Sequence, residues 1–114
     1  VTAYGFDLDG TLDRPALARL ANDLHDVGHE VYVVTGGLGD TGEWTLPARE
    51  RTLAALGVRY TAIMRCIDPD IRQLGLLKGE QCARLGIAVM VDDDRLYLDG
   101  VAAAASDVVR LLVL

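Results

Sequence analysis

Short apolar runs alternate along the chain with stretches in which apolar residues recur every three or four positions. That alternation predicts a parallel sheet wound by helices rather than separate α and β regions. The apolar runs place strands near residues 2–7, 31–35, 59–64, 87–91 and 108–113. Pro15 opens a first helix in which Leu17, Leu20, Ala21, Leu24 and Val27 recur at helical spacing, with Gly28 as its stop. Pro47 opens a second helix that closes at Gly57, and a third runs from about Lys78 to Leu85 and stops at Gly86. A fourth covers the alanine-rich stretch before Ser106.

The widest irregular stretches in this reading are Gly36 to Leu46 and Cys66 to Leu77. Both follow expected strands and so fall at the carboxyl edge of the sheet, where open α/β folds bind their ligands. Loops of that length in a small domain are usually functional or mobile. The first is rich in glycine and carries Trp44, which packs on the sheet edge or stacks on a base; the second carries Asp68, Asp70 and Arg72.

With 114 residues, 51% of them apolar, the expectation is one domain spanning 1–114. A chain of this size buries roughly 60–70% of its unfolded surface. No apolar run approaches the ~20 residues of a membrane span, and no basic segment followed by an apolar one marks export, so a cytosolic protein is expected. Cys66 and Cys82 have neither metal-ligand spacing nor the density of a disulfide scaffold and read as buried reduced thiols. The net charge of −6 disfavours long-range attraction to nucleic acid. Part of that charge belongs to clustered aspartates of the kind a divalent cation neutralises, which makes its sign weak evidence about the substrate.

The densest chemistry lies in Tyr4-Gly5-Phe6-Asp7-Leu8-Asp9-Gly10-Thr11-Leu12. Two carboxylates at i and i+2 of a strand project to one side, and Gly10 gives the backbone freedom to bring a phosphate and a metal close. Alone, the segment also fits a strand running into an Asp-Gly turn or the first half of a calcium loop. The calcium reading weakens because no further acids follow at the loop's positions and Pro15 intervenes. Farther along, Thr35 ends the second strand, Lys78 begins the third helix, and Asp92, Asp93 and Asp94 end the fourth strand.

In that order and on those elements, the residues resemble the four motifs of the haloacid dehalogenase-like superfamily of phosphotransferases, over nearly the whole chain from Phe6 to about Asp94. The resemblance implies a Rossmann-like three-layer sandwich with a five-stranded parallel sheet in the order 3-2-1-4-5. It implies Asp7 as a nucleophile that forms an aspartyl-phosphate and also binds metal. Asp9 then protonates the leaving oxygen and deprotonates the attacking water, while its backbone carbonyl binds Mg²⁺. Thr35 and the backbone N–H beside it at Gly36 face the transferring phosphoryl group, with Thr11 nearby, and Lys78 neutralises charge on Asp7 and the phosphoryl oxygens. Asp93 contacts Mg²⁺ directly and Asp92 directly or through water, whereas Asp94 reads as a helix N-cap. The carboxyl groups of Asp7, Asp9 and Asp93 are therefore expected to converge on one ion, with the Lys78 amine alongside. Mg²⁺ suits this all-oxygen set better than zinc, and His25 and His29 read as surface residues.

Leu12 runs almost at once into the first helix, and the segment from Gly36 to Lys78 is largely taken up by one helix and one strand. No cap domain fits, which leaves an open site suited to a phosphate on a macromolecule or covered by a second copy of the chain. A narrower likeness follows Thr35: the run Arg51 to Tyr60, then Thr61-Ala62-Ile63-Met64-Arg65, is similar to the 3′-phosphatase domain of phage-type polynucleotide kinases, with Asp70 and Lys78 at comparable distances. That likeness implies Arg65 as a phosphate ligand and a polynucleotide 3′-phosphate or nucleotide as substrate. It also exposes departures, because Gly36-Gly37-Leu38-Gly39 lacks the arginine usual after this motif and the segment after Asp9 is short. Two other readings stay open: a small-molecule phosphatase or nucleotidase with a lid from a dimer partner, and a binding domain that keeps the metal site but not turnover.

Overall fold

Five parallel strands lie in the order β3-β2-β1-β4-β5. They are β1 (Ala3–Phe6), β2 (Glu30–Gly37), β3 (Ala62–Ile67), β4 (Ile87–Asp92) and β5 (Val109–Leu112). Four helices connect them: α1 (Pro15–Asp26), α2 (Leu46–Leu56), α3 (Ile71–Leu85) and α4 (Arg95–Ala104). The computed structural model describes residues 1–114. Topology and class are those expected from the sequence.

Strand pleating sorts β2 onto both faces of the sheet. Val31 and Val33 join Phe6, Val91, Ala18, Ala21 and Leu53 in one core under α1 and α2, while Tyr32 and Val34 join Met90, Leu74, Cys82, Leu98 and Val101 in another under α3 and α4. Both cysteines are buried free thiols. On α1 the inward stripe is narrower than the apolar spacing suggests: Ala18 and Ala21 are buried, but Leu20 and Val27 face solvent.

The helix caps follow local chemistry. Thr45 accepts a hydrogen bond from the Ala48 N–H at 3.4 Å to start α2, and Gly57 ends it at φ 69°. Asp70 accepts from the Arg72 N–H at 3.0 Å, and Asp94 from the Leu96 N–H at 2.9 Å, starting α3 and α4. The third helix thus begins at Ile71 rather than near Lys78, β3 lies about three residues later than predicted, and the expected loop from Cys66 to Leu77 shrinks to a short turn. Gly75 explains the misreading. It weakens the helical signal, yet a Cβ there would come within 3.1 Å of the Leu96 carbonyl and the Tyr97 backbone. A Cβ at Gly79 would reach 2.9 Å from the Val101 Cα, and one at Gly100 would collide with the Gly75 backbone. The glycines are where α3 and α4 touch.

Neither expected insertion point holds a cap. From β1 the chain passes through a short turn at Leu8–Leu12, with non-helical backbone at Asp9 and Gly10, into α1, and between β2 and β3 there is only a short helical turn, Gly42–Trp44, before α2. No helix is long and apolar enough to cross a membrane.

Candidate phosphoryl-transfer site

The register of the two central strands brings the first acids together. Phe6 pairs with Val91, and the Asp7 N–H donates to the Val91 carbonyl at 2.9 Å, so Asp7 and Asp92 leave neighbouring strands side by side at the carboxyl edge. Asp93 follows on the same turn. Ligand oxygens of Asp7, Asp92 and Asp93 lie within 4.8 Å of one another.

Lys78 reaches this group from the middle of α3, not from its first turn, so the helix dipole has little bearing on it. Its ammonium donates to Asp7 Oδ1 at 3.0 Å and Asp92 Oδ2 at 2.9 Å, and it lies 4.3 Å from the centroid of the Tyr97 ring. Lys78 and Asp92 are fully buried and Asp7 nearly so. The second Asp92 oxygen accepts from the Asp94 N–H at 3.1 Å, leaving Asp93 as the exposed acid of the group.

Burial dominates the electrostatics. It pushes the Asp7 carboxyl up to about 7, with Lys78 pulling it down and Asp92 and Asp93 pushing it further up. Asp92 is likewise raised, by burial, against the pull of Lys78. Burial disfavours the charge on Lys78, but Asp7 and Asp92 outweigh it and push the amine up to about 12. Three carboxylates thus share one cation, an acidic excess that an added divalent ion would neutralise. The donors are all oxygens, with no histidine or cysteine among them.

Two glycines make room around the group. Gly10 has φ 77°, and a Cβ there would collide with the Asp93 carboxylate. Gly36 faces Leu74 and Lys78, with its Cβ position 3.5 Å from Lys78 Cε. The Thr35 hydroxyl, two residues before the end of β2, which runs on to Gly37 rather than stopping at Thr35 as expected, and the Thr11 hydroxyl are buried and have no hydrogen-bond partner. An unpartnered buried hydroxyl costs free energy unless a ligand completes it.

Asp9 is placed differently from the expected convergence. Its carboxylate lies outside the group of three and is gripped by Arg49, whose Nη1 and Nη2 donate to Oδ1 and Oδ2 at 3.2 and 2.9 Å. Arg49 was not anticipated. Its signal was a cation on the inward stripe of α2, four residues before the fully buried Leu53. Arg65 donates to Asp40 at 2.5 Å and to the Trp44 carbonyl at 3.3 Å, tying down the glycine-rich loop rather than lining the cavity. His29 accepts from the Thr2 N–H at 3.1 Å and packs edge-on against Tyr4, so it is partly buried rather than a free surface residue.

A cavity of about 310 Å³ opens beside the acids. Asp7, Asp9, Asp93 and Asp94 form its acidic side, Leu38, Trp44, Ile71, Leu74 and Tyr97 its apolar side, and Gly36 and Gly37 its floor. Trp44 packs directly over Gly37, where a Cβ would come within 2.7 Å of the indole Cγ, and it also faces the cavity.

No family model and no curated protein matches the chain. Solved structures do. A chain of the Pnkp1/Rnl/Hen1 RNA repair complex is similar over 98% of this chain, with TM-score 0.75 and 18% identity. A second structure of the Pnkp1/Rnl/Hen1 complex is similar over 98%, with TM-score 0.77 and 18% identity. D,D-heptose 1.7-bisphosphate phosphatase from B. bronchiseptica, complexed with magnesium and phosphate, is similar over 92%, with TM-score 0.60 and 19% identity. The chain spans 42% and 45% of the first two matched chains, under half their length, and 77% of the third. These likenesses establish the fold, the α/β sandwich implied by the resemblance to haloacid dehalogenase-like proteins.

Proposed function

We propose that the chain is a phosphomonoester hydrolase that works through an aspartyl-phosphate on Asp7. The observation that carries this reading is the buried Lys78 bridging Asp7 and Asp92, with Asp93 beside them, at the mouth of a cavity. Burying three charges, those of Asp7, Lys78 and Asp92, in a small protein is costly and contributes little to stability that apolar residues would not contribute better. A site that must hold an anionic group explains the cost.

In the proposed reaction a carboxylate oxygen of Asp7 attacks phosphorus, and the bond to the leaving alcohol breaks. Asp9 gives that oxygen its proton, then removes one from the water that hydrolyses the acyl-phosphate and restores Asp7. Lys78 holds Asp7 in its attacking orientation and offsets the charge that accumulates. The Thr35 hydroxyl, which has no partner within the protein, donates to a phosphoryl oxygen together with the Gly36 N–H. Asp7 and Asp93, with Asp92 behind them and the Asp9 backbone carbonyl, are the residues that would hold Mg²⁺, which when bound neutralises the phosphate and the nucleophile. The donor set and its excess of negative charge fit that ion.

The substrate we favour is a phosphate on a nucleic-acid end or a nucleotide. Trp44, Leu38 and Tyr97 offer an apolar wall for a planar base, the absence of a cap leaves room for a polymer, and similar chains occur in an RNA repair complex. The test is phosphate release from a 3′-phosphorylated oligonucleotide with Mg²⁺, beside a panel of mononucleotides and sugar phosphates. Release by the wild type, abolished in a folded Asp7→Asn variant, supports the reading. Release from small phosphates alone would shift the substrate, and equal release by Asp7→Asn would remove the mechanism.

A further inference from the structure

We infer that Arg49 is a positioning residue for proton transfer, holding the Asp9 carboxylate at the lip of the cavity. This rests on the assignment of Asp9 as the proton-transfer group. The guanidinium is planar and forked, and both its terminal nitrogens donate to the two Asp9 oxygens at 3.2 and 2.9 Å, which fixes the carboxylate's orientation as well as its place.

The burial of the pair is lopsided. The Arg49 side chain is 3% exposed and the Asp9 side chain 64%, so an anchored cation holds a carboxylate that would otherwise be mobile. Stability does not account for the arrangement. Removing a guanidinium from water is costly, and an ion pair with so exposed a partner returns little of that cost. An apolar residue beside Leu53 and Leu56 would pack on the sheet at no such cost. Asp9 sits in a turn with Gly10 at φ 77°, and the hydrogen bonds of its side chain are the two from Arg49.

The inference separates from two rivals. An arginine that binds the substrate's phosphate would act on KM, and one that only completes the core would act on folding. A positioning residue acts on kcat and only while Asp9 is present, because a small misplacement of a reacting group costs on the order of 10²-fold in rate.

The experiment compares Arg49→Met, Arg49→Lys, Asp9→Asn and the double variant Asp9→Asn/Arg49→Met, using the Mg²⁺-loaded protein and the best substrate of the panel. Arg49→Met is expected to lower kcat about 10²-fold with KM within about threefold. Arg49→Lys, which keeps one of the two bonds, should recover part of the rate, and the double variant should be no slower than Asp9→Asn. A loss carried by KM, or losses that multiply in the double variant, would overturn the inference. Crystal structures of the metal-free variants give a readout apart from turnover: Asp9 should leave its position in Arg49→Met and keep it in Arg49→Lys. If the wild type hydrolyses nothing, the phosphatase reading fails, and an Asp9 unmoved in Arg49→Met would refute the positioning separately. If Arg49→Met does not fold, Arg49→Lys carries the comparison, and an unaltered kcat there together with a threefold or greater rise in KM would refute it.

Discussion

Replacing Lys78 by Met keeps most of its stem and removes only the charge, which makes it the sharpest probe of the buried group. Lys78 meets Asp7 at 3.0 Å and Asp92 at 2.9 Å. At an effective dielectric constant of ~20, each attraction is worth up to about 5–6 kcal/mol before the ammonium's own desolvation is subtracted. Deleting the charge also leaves carboxylate oxygens within 4.8 Å of one another without a cation. Their repulsion is about 3–4 kcal/mol on the same scale, in line with the ~3–5 kcal/mol lost when one partner of a buried pair is removed. The metal-free variant should therefore be about 3–5 kcal/mol less stable at pH 8. The folded variant holds protons on carboxyls that are ionised when unfolded, so its stability falls as pH rises. Wild-type Asp7, already raised to about 7, follows the same rule over a narrower range. The deficit should accordingly shrink by about 1–2 kcal/mol at pH 5.5, and Mg²⁺ should restore part of it at pH 8. Urea unfolding followed by circular dichroism at both pH values measures this. A loss under about 1 kcal/mol at pH 8, or the same loss at both pH values, would refute the reasoning.

Gly10→Ala should strain a backbone at φ 77° and press on the Asp93 carboxylate, costing about 1–2 kcal/mol and at least tenfold in Mg²⁺ affinity by calorimetry. Cys66 and Cys82, both pushed up to about 11 by burial, should resist a thiol reagent at pH 8 until the protein unfolds. Because these thiols keep their protons in the fold at pH values where they lose them unfolded, stability should decline as pH rises from about 9 to 11. Unfolding midpoints across that range check the second point, and a flat profile would contradict it.

The sheet was legible because the strands are predominantly apolar runs, and the two acids that meet Lys78 follow such runs directly, Asp7 after Phe6 and Asp92 after Val91. Pairing between β1 and β4 then brings residues 85 positions apart together, which the order of the motifs anticipated. The start of α3 was hidden because Gly75 and Gly79 read locally as weak helix formers. Their reason is tertiary: they meet α4, and no local pattern reports that. Arg49 was hidden for a related cause. A single charged residue on an inward stripe has meaning only once its partner, 40 positions earlier, is in place. The same pair turns Asp9 aside from the carboxylates with which its two-residue spacing from Asp7 had grouped it.

Along α3, Ile71 and Leu74 line the cavity wall, and Lys78, one turn beyond Leu74, sits among the acids. Ligand contact and charge compensation are thereby mounted on one rod, clamped against α4 by glycines that leave no slack for either helix to slide. Under the proposed function, any substitution that resizes the wall by tilting the rod also shifts the ammonium, so substrate choice and rate would change together.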